Sequence, residues 1–220
     1  MSETADQRRT RPRDAQATKA ILLRAATAEF AEHGLAGARI DRIAERAGAN
    51  KRLLYVYFGD KKQVFDAVVQ GQAEAVVEAA PLPDGDLCAF AAARYDYVLA
   101  NDEARRIAAW RSFEQTEPSQ AEVDTFRARV EAVAEAQGAG KLRSDIPAVD
   151  LFSIVLRLTE SWLSAPPALK AVAGADPLAA DRLREHRAAM LEAVRSVVEP
   201  RSVVEPRSVV EPRSVVEPLS

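Results

Sequence analysis

Residues 39–58, RIDRIAERAGANKRLLYVYF, restrict what this chain can fold into more than any other stretch. Ile43, Ala44 and Ala47 repeat at helical spacing, Gly48 interrupts them, and Leu54 and Phe58 resume the pattern. Helices this short gain little from their own hydrogen bonds and need a third element to cover their apolar faces. A preceding helix supplies one: from Gln16, Leu22, Ala26 and Phe30 fall every fourth residue until Gly34. Two short helices meeting steeply at a glycine and pinned to a third make a helix-turn-helix. Its outward side then carries Asn50, Lys51, Arg52, Leu53, Tyr55 and Tyr57. Cationic and amide donors suit base edges and phosphates, and aromatic hydroxyls suit backbone contacts, so this side fits a DNA groove.

Helical periodicity continues beyond the motif, and nine helices in all are expected, making the fold all-α. Asp60, with Gln63 three residues on, caps a fourth helix that Pro81 and Pro83 stop. Helices over about 86–101 and 103–116 follow, then one from the Ser119/Glu122 capping box to about Gln137. Pro147 opens a helix running to Ser164, closed by Pro166-Pro167, and Asp176-Pro177 starts the last. The expected organisation is a basic arm over 1–15, a DNA-binding head over 16–76, a helical body over 77–198 and a tail over 199–220. The arm carries Arg8, Arg9, Arg11 and Arg13 without apolar periodicity, so it reads as a flexible tail or a minor-groove arm. The tail repeats Arg-Ser-Val-Val-Glu-Pro four times from Arg195, and a proline every six residues reads as unstructured.

Charge divides the chain in the same way. Residues 1–65 hold 13 Lys/Arg against 8 Asp/Glu, and residues 66–220 hold 17 against 25. A basic head on an acidic body implies a local polyanion site rather than general coating of nucleic acid. Cys88 is the single cysteine, which excludes an internal disulfide and a cysteine zinc cage and fits a cytoplasmic protein. No apolar run approaches the roughly 18 residues that span a bilayer. The two histidines, His33 and His186, lie far apart in sequence, and no HExxH, P-loop, GxGxxG or nucleophile elbow occurs. Neither a catalytic site nor a metal or cofactor is expected.

The first 65 to 76 residues resemble the TetR family of bacterial repressors. Ile21-Leu22, Ala25-Ala26 and Phe30 to Gly34 match its first helix. Ile43-Ala44-Glu45-Arg46-Ala47-Gly48 matches its turn, and Leu54-Tyr55-Val56-Tyr57-Phe58 with Lys61 matches its recognition helix. The resemblance implies base and sugar contacts from Lys51, Arg52 and Tyr55 and phosphate contacts from Tyr57 and Lys61. It departs from the family at Ala38-Arg39, where a Thr or Ser cap is usual, so Arg39 takes over a phosphate contact but not the cap. It departs again at Arg52-Leu53, so the operator sequence is not transferable.

The resemblance also implies a body with an effector pocket and a dimer interface made by the last two long helices, and hence a homodimer. Tyr95, Trp110, Phe113, Phe126 and Trp162 are the pocket candidates, each either core or ligand contact, with Arg111, Glu114 and Glu160 as polar anchors. The penultimate helix carries two adjoining apolar stripes, Val149/Phe152/Leu156/Leu163 and Leu151/Val155/Leu158/Trp162, one for the core and one for a partner. Phe152, Leu156, Leu163, Leu183, Met190 and Val194 are the interface candidates, and intramolecular core is the other reading of both stripes. The implied function is a non-enzymatic, sequence-specific transcriptional regulator, a repressor released from double-stranded operator DNA by a small-molecule effector. The competing reading is a helical ligand-binding or scaffold protein that no longer binds an operator.

Overall fold

The computed structural model describes residues 6–114, 117–174 and 176–200, with residues 6–14 as backbone, and every regular element among them is helical. The head comprises α1 (Asp6–Gly37), α2 (Ile40–Arg46), α3 (Lys51–Phe58) and the first half of α4 (Lys61–Ala79). A 3-10 turn at Pro83–Gly85 leads into the body: α5 (Leu87–Ala100), α6 (Asp102–Glu114), α7 (Gln120–Gly138), α8 (Ala148–Leu158), α9 (Pro167–Val172) and α10 (Ala180–Val198). The arm expected over residues 1–15 is helical backbone from Asp6, continuous with α1. Its residues 1–5, and the repeat tail beyond Pro200, lie outside the described residues.

The head closes around Leu22, Ala26, Phe30, Ile43, Leu54, Val64 and Phe65, all buried, with Phe30 and Phe65 edge to face at 5.1 Å. Leu54 holds α3 to α1 from behind, as the spacing predicts. Gly48 turns α2 into α3 with φ at +61°, a left-handed backbone that glycine adopts without a side-chain clash. Gly34, at φ 64° and ψ −178°, kinks α1 and lies under the Trp110 ring; a Cβ there would sit 2.7 Å from the indole. Only glycine fits both the backbone and the contact. Trp110 Nε1 donates to Ala31 O at 3.2 Å, so α6 of the body is fastened to α1 of the head. Asp60 and Gln63 form the expected reciprocal capping box on α4.

A second core fills the body, where Leu87, Phe90, Tyr95, Val133, Leu151, Phe152, Met190 and Val194 pack between α5, α7, α8 and α10. Three expectations change here. The helix expected from Pro147 to Ser164 stops at Leu158, because Thr159 Oγ1 donates back to Leu156 O at 2.7 Å and Ser161 Oγ to Leu158 O at 2.8 Å. Such back-bonds compete with helix continuation, and a series of turns follows. Pro166-Pro167, expected to close that helix, opens the short α9, with Pro167 in its first turn. The last helix begins at Ala180 rather than at Asp176-Pro177, since Asp176 Oδ1 accepts from Leu178 N at 3.0 Å and holds the chain in a turn. The far end of α10 is tied down: Arg143 donates from its backbone N–H to Val198 O at 3.0 Å and from Nη1 to Val197 O at 3.2 Å. These bonds satisfy carbonyls that a helix end leaves open.

The interface candidates are corrected by this packing. Phe152, Met190 and Val194 are buried within the single chain and form part of its own core. Leu156 and Leu163 line a cavity, and Leu183 is half-buried with its carbonyl accepting from the Tyr95 hydroxyl at 3.2 Å. On α8 it is Val149 and Ile154 that remain exposed.

Candidate nucleic-acid interface and body cavity

The head presents a narrow outward strip. Lys51, Arg52, Tyr55 and Val56 are exposed on α3, one turn apart in pairs, with Val56 68% accessible and Tyr55 51%. Lys51 Nζ lies 3.1 Å from Asp41 Oδ1 on α2, an exposed pair that solvent and salt screen and that releases readily. Four other expected contacts are partly committed elsewhere. Asn50 caps α3, its Oδ1 accepting from Arg52 N at 2.8 Å, so only its amide nitrogen remains to meet DNA. Leu53 and Tyr57 are half-buried against the head core, and Tyr57 meets Phe58 edge on. Lys61 Nζ donates to Ala36 O at 3.2 Å, tying the start of α4 to the end of α1 beside the strip. Residue type does not mark Val56, since it brings neither donor nor charge to a polar face; its spacing of four from Arg52 carries the signal.

Arg39 is exposed at the start of α2 and, as expected from the missing Thr or Ser, gives it no side-chain cap. Its place is taken by a residue no motif singles out. Glu29 of α1 is completely buried, and its Oε1 accepts from Arg39 N at 2.9 Å and Arg42 Nε at 2.7 Å. Arg42 also donates to Gly37 O at 2.9 Å, so one carboxylate binds α1, the 37–39 corner and α2 together. Burial alone would raise the Glu29 pKa, but the Arg42 hydrogen bond, the Arg39 amide and the nearby charges of Arg42 and His33 outweigh it and hold it below its ordinary value. The other oxygen, Oε2, is buried without a hydrogen-bond partner among the described residues, 3.9 Å from His33 Nε2.

In the body, a cavity of about 990 Å³ opens between α4, α5, α6, α7 and α8. Of the five aromatic candidates only Phe126 lines it. Tyr95 is locked in the core, and Trp110 lies against the head. Phe113 is 79% exposed outside the cavity. Trp162 donates to Pro177 O at 2.8 Å beneath the Arg182 guanidinium. Ring size is readable from sequence, whereas the side of a helix that neighbours leave empty is not. Of the polar anchors, Arg111 and Glu160 are on the wall, while Glu114 Oε1 accepts from Ala36 N at 3.4 Å. The wall of α4 is Val69, Gln72, Ala73 and Val76, directly after Val64, Phe65 and Val68 of the head core.

His186 stacks between Tyr95 and Trp162 with Ser161 Oγ at 3.2 Å, and burial, helped by Arg182, lowers its pKa. No group of His, Cys, Asp and Glu with metal-binding geometry occurs among the described residues. No helix among them is long and apolar enough to cross a membrane.

Comparison with known proteins covers both halves of the chain. Residues 22–68 match the family profile "Bacterial regulatory proteins, tetR family", and residues 86–196 match "Tetracyclin repressor-like, C-terminal domain". The HTH-type transcriptional repressor SCO4008 of Streptomyces coelicolor is 35% identical over 192 residues, covering 85% of this chain and 98% of that protein. The HTH-type transcriptional repressor Rv3405c of Mycobacterium tuberculosis is 30% identical over 202 residues, covering 89% and 97%. Among solved structures, SCO4942 of Streptomyces coelicolor superposes with a TM-score of 0.72 at 30% identity, covering 82% of this chain and 98% of that one.

Proposed function

Because the chain belongs to the TetR family of bacterial regulatory proteins, we propose that it is a transcriptional repressor that binds operator DNA as a homodimer. The observation that carries this reading is the Lys51, Arg52, Tyr55 and Val56 strip, exposed on a helix whose opposite side is anchored by buried Leu54. Lys51 and Arg52 supply donors for base edges, and Val56 supplies an apolar surface for a thymine methyl group. Lys61 and Tyr57 flank the strip and suit phosphates. One short helix per chain reads too little sequence alone, so two chains read two half-sites about one helical turn apart.

The body cavity is the effector site in this reading. Its α4 wall continues into the head core, and its α6 wall includes Ile107, itself part of that core. A ligand that moves either helix shifts the spacing of the two recognition helices, which is the quantity a pair of fixed half-sites senses.

Gel retardation with the promoter fragment upstream of the protein's own coding sequence tests the DNA step. Lys51→Ala is expected to cost about 1–3 kcal/mol, mainly at one base position, and Lys61→Ala to weaken all sequences alike while lowering the salt slope by about one. Unchanged affinity in both variants would remove α3 and the start of α4 as the reading surface.

A further inference from the structure

We propose that the body cavity takes an anionic amphiphile, a carboxylate on an apolar body, whose acid group is held by Arg94 of α5 and Arg105 of α6. This rests on reading the cavity as the effector site and adds the chemistry of what enters it. Among the described residues the cavity wall carries five arginines, Arg94, Arg105, Arg106, Arg111 and Arg157, but only two carboxylates, Asp102 and Glu160. Each of these two carboxylates serves two arginines. Glu160 pairs with Arg94 and, at 3.0 Å, with Arg157; Asp102 pairs with Arg105 and, at 2.7 Å, with Arg106. Arg111 has Glu122 to itself. The wall therefore holds more positive than negative charge, with one arginine in excess at Glu160, the partner of Arg94, and one in excess at Asp102, the partner of Arg105.

Hydrogen bonding marks the same two residues. The Nε–H groups of Arg94 and Arg105 are buried without a partner among the described residues. A buried donor without an acceptor is destabilising, and a ligand oxygen would relieve it. Near Arg94, off the cavity wall, lies Arg129 of α7, which donates to Ala80 O at 3.0 Å and stacks on Phe90 at 5.1 Å, with no carboxylate paired with it among the described residues. Burial, above all, pushes both guanidinium groups below their ordinary value, and the charge of Arg94 adds to the effect on Arg129. Two partly desolvated cations in one region favour an anion and oppose a cationic ligand. The rest of the wall is apolar, with Val69, Val76, Val98, Ile107, Phe126 and Leu156 suited to a hydrocarbon or aromatic body. The volume of about 990 Å³ is at the upper end for a drug-sized ligand, so the apolar part has room to be long or polycyclic. Arginine forks recognise carboxylates with defined geometry, which gives selectivity over an uncharged analogue.

The test is a fluorescence titration of the full chain with three matched probes: dansylaminoundecanoic acid, its methyl ester, and the amine of the same length. The acid is expected to bind about tenfold or more tighter than either analogue, corresponding to about 1.4 kcal/mol or more. Arg94→Met and Arg105→Met should each abolish that preference, weakening the acid about tenfold more than the ester. Arg105 is the less buried of the two, so its variant carries the test if Arg94→Met does not fold. Equal affinities for acid and ester, tighter binding of the amine, or no binding of the acid at millimolar concentration would overturn the proposal. Gel retardation without ligand, run on the same proteins, separates the two readings: both variants should retard operator DNA as the parent does. If the parent fails to retard DNA while the acid preference stands, the repressor reading falls and the anion site does not.

Discussion

At the scale of single residues, Glu29 decides the geometry of the reading head. Its carboxylate stands in for a missing helix cap by holding both the first amide and a side chain of the α2 region. Glu29→Gln keeps the shape but removes the charge, and is expected to cost about 1.5–3 kcal/mol of stability, the range for hydrogen bonds to charged groups. Operator affinity should fall with it, because α2 sets the angle of α3. A pH series gives a second signature. The folded-state pKa of Glu29 is lowered, so its stabilisation is complete above the reference value of 4.5 and is lost as pH falls through the lowered value. Thermal melts of the parent should therefore decline more steeply below that range than those of Glu29→Gln; parallel curves would show that the carboxylate carries no net stabilisation. The sequence made Lys51, Arg52 and Tyr55 legible, since period and residue type agree at those positions. It did not reveal Glu29, an acidic residue beside Phe30 on the buried side of α1, because its partner Arg42 lies across a corner that only the folded chain closes.

At the scale of elements, the helices were readable wherever caps and breakers agree, as at Asp60, Ser119 and Pro147. They were not readable where side chains bond back to the backbone, as at Thr159 and Asp176. The interface candidates changed for another reason, packing. The apolar stripes of α8 and α10 are real, but each helix uses its richest stripe for its own core, and a stripe alone does not say which neighbour covers it. Ile154, exposed on α8 one turn before half-buried Leu158, is the residue we expect at the dimer surface. Ile154→Lys should leave the melting temperature of the single chain nearly unchanged, since the residue is already exposed, yet shift sedimentation from dimer to monomer and abolish retardation. A variant that still sediments as a dimer would move the interface off this side of α8.

At the scale of the whole molecule, the all-helical fold and the separation of a basic head from an acidic body follow from pattern and charge. The cavity does not, because it is a space left between five helices rather than a property of any one. If its ligand releases the operator, linkage requires operator DNA to weaken ligand binding by the same factor. Calorimetry with and without saturating DNA is expected to show that reciprocity, and equal ligand affinities would exclude release by this route. The fastening of α6 to α1 has an optical consequence. The chain has two tryptophans, and one of them, Trp110, lies on Gly34 at the junction between cavity and head. With Trp162 replaced by phenylalanine, the remaining indole is a built-in fluorophore at that joint, its emission sensitive to whether its N–H still meets Ala31 O. Any ligand that loosens the joint should redden and dim that emission before DNA is added, turning the search for an effector into a cuvette measurement that needs no label and no operator.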